Sequence, residues 1–137
     1  MKINIRVIKH EDQRGAITGQ WWMDEKGVLQ IRVSRMGNSD YEKLHIMHEL
    51  FEAFASTYDK GVTDASTETF DKAFVERRKR GELPAHITEP GFDPECPYHD
   101  EHMAATGIEM LLASFLKVKW SDYEKRCREV SWEGKKF

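Results

Sequence analysis

The sequence is poor in the features that mark specialised chains. It has only two cysteines, Cys96 and Cys127, far apart and outside any CxxC pairing. That excludes a disulfide framework and a cysteine-rich zinc module, and a reducing compartment is the simplest expectation. No long apolar run is present: the longest stretch, near 108–118, is broken by Glu109, Ser114 and Lys117 and is too short to span a bilayer. The opening MKINIRVIKHEDQRG lacks the unbroken apolar segment of a signal peptide, so a cytoplasmic protein without a membrane partner is expected. Charge of one sign is lacking too. A formal net charge of −3 argues against nucleic acid or an anionic membrane as the main partner. Internal repeats and low-complexity tracts are not found.

What remains is an ordinary globular composition, 39% hydrophobic and 33% charged over 137 residues, enough for one domain around one apolar core. KINIRVI alternates Ile3, Ile5 and Val7 with polar residues, as a strand does. AITGQWWM and VLQIRVS follow, joined by DEKG, and read as a β-hairpin with Gly27 in the special turn conformation. Residues 1–35 are thus expected to form a small, mostly antiparallel sheet. Trp21 and Trp22, adjacent on a strand, must face opposite sides.

Ser39 followed by Glu42 fits a capping box that opens a helix running to about Tyr58. Leu44, Met47, Phe51, Phe54 and Ala55 recur at three- and four-residue steps and are expected to face the core. A second helix covers DASTETFDKAFVERRKR and ends at Gly81 and Pro84; its basic end, ERRKRGE, reads as a solvated helix terminus, with a local nucleic-acid contact as the alternative. The Pro- and Gly-rich segment up to residue 98 reads as an irregular loop. Another helix begins near HDEHMAATGIEMLLASFL, and a shorter one opens at Ser121. The fold class is α+β: a small N-terminal sheet against the 39–58 helix, an insert and loop over 59–98, and helices over 99–130.

Chemistry concentrates in LHIMHELFEAFA. On a helix His48 and Glu52 lie one turn apart and project side by side, so an imidazole nitrogen and a carboxylate oxygen can reach one ion. Glu49, turned by about 100°, can sit beside a metal-bound water as a general base. Alone, H-E-x-x-E is a weak signal, since chance placement yields it roughly one time in fifteen in a chain of this composition. His102 supplies a second feature. It shares a helix face with Ala105 and Ile108, while small Ala104, Ala105 and Gly107 permit close approach of another helix. His48, Glu52 and His102 would form a two-histidine, one-carboxylate set with a fourth position open, which is the catalytic type of zinc site. His99 occupies the same first helical turn and competes with His102. Cys96 lies nearby, and His45 is expected at the surface or behind the ligands.

The order hairpin, capped HE helix, variable segment and later ligand helix resembles the zincin metallopeptidases, and most closely the small ImmA/IrrE type of bacteria and phages. That family carries HExxH on its first helix and a Glu on the later one, within E-x-x-A-x-x-F-A-x-x-L-L. Here the later helix reads His102-Met-Ala-Ala105-Thr-Gly-Ile108-Glu-Met-Leu111-Leu112, so His and Glu have exchanged places and the ligand inventory is kept. The resemblance covers roughly residues 16–117, with no counterpart for 57–98. It implies one divalent metal ion, most simply zinc, a peptide or protein substrate, and Glu49 as the proton-accepting base. The strand 28–34 would be the edge that pairs with an extended peptide. His45, Tyr98 and His99 are the candidates for an oxyanion donor.

Two further readings stay open. Glu42-x-x-His45 with His48, Glu49 and Glu52 is similar to the helices of carboxylate di-metal proteins, although their long-helix bundles do not suit a strand-rich first third. A non-catalytic metal-binding or interaction scaffold of phage or plasmid type is the other.

Overall fold

The computed structural model describes residues 1–15, 17–56 and 62–132 and shows an α+β architecture. Three strands, β1 (Lys2–Ile8), β2 (Gly19–Met23) and β3 (Val28–Ser34), form one sheet in the order β1-β3-β2. Four helices follow: α1 (Ser39–Ser56), α2 (Asp64–Lys79), α3 (His99–Leu116) and α4 (Trp120–Trp132).

The hairpin is as expected. Asp24 closes it, its Oδ1 accepting from the N–H of Lys26 and of Val28 at 2.9 Å, and Gly27 takes φ 72°. Side chains larger than hydrogen meet steric resistance at that φ. The sheet is mixed, however, not antiparallel throughout: β2 runs antiparallel to β3, whereas β1 pairs parallel with it, Ile5 opposite Ile31 and Val7 opposite Val33. β3 is therefore the central strand and has no free edge. Strand periodicity reveals which face a residue takes but not the order of strands.

α1 lies across one face of this sheet. Leu29, Ile31 and Val33 pack against Ala53, with Ile46 and Leu50 beside them. Its N-terminus is capped by Asn38 rather than Ser39: Asn38 Oδ1 accepts from the N–H of Asp40 (2.9 Å), and Glu42 reaches back to the N–H of Met36 (3.0 Å). The expected end near Tyr58 lies outside the described residues. Of the apolar stripe expected to face the core, Leu44 is buried, Phe51 and Ala55 are half-buried, and Met47 and Phe54 are exposed. The side of α1 that is buried carries His45, His48, Glu49 and Glu52 instead.

α3 packs along α1 through His102, Ala105, Glu109 and Ala113, and the bare Ala105 lets the two helices come close. α4, which starts one residue earlier than expected, closes the far end with Tyr123 against Leu44 and Ala113. α2 carries a capping box between Thr63 and Ser66. Its basic end is not simply solvated: Arg77 binds Asp93 at 2.8 Å and Arg78 binds the Ile87 carbonyl, so the cluster fastens the following loop.

Candidate metal centre

Between α1 and α3 the fold buries an unusual number of ionisable groups. His45, His48, Glu49, Glu52, His102 and Glu109 are each at most 8% exposed. Buried charges are costly, by several kcal/mol each, unless they are paired or hold a cation.

Three of them converge. His48 Nε2, His102 Nδ1 and Glu52 Oε2 form a triangle with sides of 3.1, 2.9 and 3.3 Å. Helical spacing brings His48 and Glu52 together on α1, and the close α1–α3 packing adds His102. Zinc bonds of about 2.0–2.2 Å to nitrogen and oxygen in a tetrahedron separate neighbouring donors by roughly 3.3–3.5 Å. The triangle is only slightly tighter, so these three side chains could hold a metal ion.

The surroundings match what a cation site requires. His48 Nδ1–H donates to Glu109 Oε2 at 2.9 Å, which turns Nε2 toward the triangle. Trp21 Nε1–H donates to Glu52 Oε1 at 2.9 Å and leaves Oε2 facing the histidines. His102 stands edge-on to Phe92 (ring centroids 4.9 Å apart) and directly under Gly91, where any Cβ would overlap its ring. His102 Nε2 is buried and has no hydrogen-bond partner among the described residues; Glu89 Oε1 lies 3.8 Å away.

Protonation shows how strongly the cluster draws positive charge. Burial alone would depress His48, but Glu109 and Glu52 outweigh it and hold the imidazole well above its ordinary 6.5. Burial would likewise raise Glu52, yet hydrogen bonds from His102 and His48 bring it down to about 2. A raised imidazole beside a lowered carboxyl is what surroundings that favour positive charge produce. For Glu49, burial and then the neighbouring Glu52 push the carboxyl well above 4.5.

The remaining candidates have other tasks. His99 Nδ1–H donates to the Gly91 carbonyl at 2.8 Å, fixing the turn that covers His102, and is not in the triangle. Tyr98 donates its hydroxyl to Asp71 Oδ1 at 2.5 Å, so it is engaged and not aimed at a substrate. Cys96 is buried with its thiol pushed up to about 12, and stands outside the cluster. His45 is buried rather than at the surface, 3.6 Å from Glu49 Oε1. Sequence reasoning missed Glu109 and Tyr123. A charge seven residues after His102, inside an otherwise apolar helix, was the available signal for Glu109; nothing local marked Tyr123.

The triangle and Glu49 open on a cavity of ≈ 210 Å³, lined also by β2 residues Gly19 and Trp21 and by Asp71 and Phe74 of α2. No family model, curated protein or solved structure matches this chain.

Proposed function

We propose that this protein is a zinc-dependent hydrolase of peptide bonds, with His48, Glu52 and His102 as metal ligands and Glu49 as general base. The observation that carries this reading is the convergence of the three donor atoms on one point beside a cavity. Two imidazoles and one carboxylate are a catalytic type of zinc set, because a fourth position stays open.

A divalent cation held there would polarise a substrate carbonyl and acidify a water. The chain supplies the rest. Glu49 lines the cavity, and its raised affinity for protons suits a group that must take one from water and pass it to the leaving amine. Trp21 and Glu109 hold the ligands in orientation. β2, at the edge of the sheet, runs beside the cavity. Its pairing alternation turns the N–H and C=O of Gly19 and Trp21 outward, and the next outward N–H, of Met23, is taken by Asp64 at 3.0 Å. An extended peptide added at that edge would pass Glu49, since Gly19 lies directly against the Glu49 carboxyl. The zincin resemblance of the HE helix is in keeping with this arrangement.

A second reading is a metal-binding scaffold without turnover. One observation favours it: the hydroxyls of Tyr98 and Tyr123 are both committed to carboxylates, so neither is aimed at an oxyanion. Incubating the zinc-loaded protein with a peptide library and reading cleavage by mass spectrometry separates the two. Cleavage by the wild type that disappears in Glu49→Gln, with zinc retained, supports the hydrolase. Equal yields from both proteins would remove Glu49 from the chemistry.

A further inference from the structure

Behind the ligands a second set of buried groups runs from His48 back to Glu49. Glu109 uses both oxygens: Oε2 accepts from His48 Nδ1–H at 2.9 Å, and Oε1 accepts the Tyr123 hydroxyl. The Tyr123 oxygen then lies 3.3 Å from His45 Nδ1, with the Cys127 thiol also against it. His45 Nε2 in turn lies 3.3 Å from Thr18 Oγ1 and 3.6 Å from Glu49 Oε1. Three helices contribute, α1, α3 and α4, together with Thr18, the residue preceding β2.

Donor and acceptor rules fix the direction of this chain. A carboxylate accepts only, so Tyr123 spends its proton on Glu109. Its oxygen can then only accept from His45, which requires the proton of His45 to sit on Nδ1. Burial keeps the ring neutral, its pKa down to about 4, so Nε2 carries a lone pair. That lone pair faces Thr18 and Glu49. The Thr18 hydroxyl, 3.3 Å away, can donate to it. A side chain at Gly19 would collide with both His45 and Glu49, so the backbone presses these two groups together.

We propose that His45 is a positioning residue for Glu49: the Glu109–Tyr123 pair presents it as the Nδ1–H tautomer, with the lone pair of Nε2 turned toward Thr18 and the Glu49 carboxyl. Hydrogen bonds thereby run from the His48 ligand through Glu109 and Tyr123 to the His45 ring, which stands 3.6 Å from the base. The proposal rests on Glu49 being the base, but its geometry can be tested without any substrate.

The experiment is nitrogen NMR of the imidazoles in the full chain, metal-free and with zinc added, for the wild type and Tyr123→Phe. Phenylalanine keeps the ring and its packing and removes only the hydroxyl, which accepts from His45 and donates to Glu109. The expected result is a single neutral Nδ1–H tautomer for His45 in the wild type at neutral pH, and loss of that single tautomer in Tyr123→Phe. An Nε2–H tautomer in the wild type would overturn the proposal, as would an unchanged tautomer in the variant. Failure to bind zinc would leave the tautomer readable, so the proposed function and this proposal can fail separately.

Discussion

At the scale of single residues, His48 and Glu52 are each turned into the triangle by a hydrogen bond to a named neighbour, and that makes the roles separable by substitution. His48→Ala and His102→Ala each remove a nitrogen donor and are expected to lower zinc affinity at least tenfold, as read by competition with a chromogenic chelator. Glu49→Gln keeps the size of the side chain and is expected to bind zinc as the wild type does; loss of zinc would make Glu49 a ligand instead. Asp71 offers a test that needs no metal. Burial raises its carboxyl to about 6 from an ordinary 3.8, despite the Tyr98 hydrogen bond. Because the folded value lies above the unfolded one, its contribution is complete below about pH 4 and is lost as pH rises through 6. Asp71→Asn retains an oxygen for Tyr98, so in chelator it is expected to be more stable than wild type at pH 7.5, by on the order of 2 kcal/mol, and not at pH 4. Urea titrations at the two pH values decide this. The three residues of the triangle were legible because His48 and Glu52 lie four apart and His102 sits among small residues. Glu109, Trp21 and Tyr123 were not, because their roles arise only where separate elements meet.

At the scale of elements, α1 inverts the usual rule. Its exposed side carries Met47 and Phe54, while its buried side carries His45, His48, Glu49 and Glu52. Apolar periodicity therefore pointed to the buried side at Leu44, only partly at Phe51 and Ala55, and to the exposed side at Met47 and Phe54. The polar face is buried because α3 and the sheet enclose it, a tertiary effect that no local pattern reports. The hairpin and the helices were readable from alternation and turn chemistry. The parallel β1–β3 pairing was not, since it depends on where the chain returns after β1. Close approach is the device that assembles the site, and it is sensitive to single carbons. At Gly91 a methyl group would overlap the His102 ring, so Gly91→Ala is expected to destabilise the fold by roughly 1–3 kcal/mol and to weaken zinc binding with all three ligands intact. Gly107→Ala adds a carbon in open space on the same α3 helix and is the matched control, expected to leave zinc affinity unchanged. Calorimetric titration of both variants with zinc checks the pair.

At the scale of the whole molecule, the described residues form one sheet and four helices around a polar centre, and no helix among them is long and apolar enough to cross a membrane. A centre of this kind links stability to metal. A cation that binds only the folded chain is expected to add about 2.7 kcal/mol at a free concentration one hundred times Kd. For a domain of this size that is a rise in Tm of roughly 10 °C, measurable by thermal unfolding with zinc and with chelator. The affinity should also fall as pH is lowered, since His48 binds a proton more tightly than usual and must release it to accept the metal. The measurement that bears most directly on the whole account is elemental analysis of the purified wild-type chain beside His102→Ala, after incubation with zinc and removal of excess. The account predicts about one zinc per wild-type chain and none in the variant. A wild type without zinc, or a variant that retains it, would contradict the metal centre.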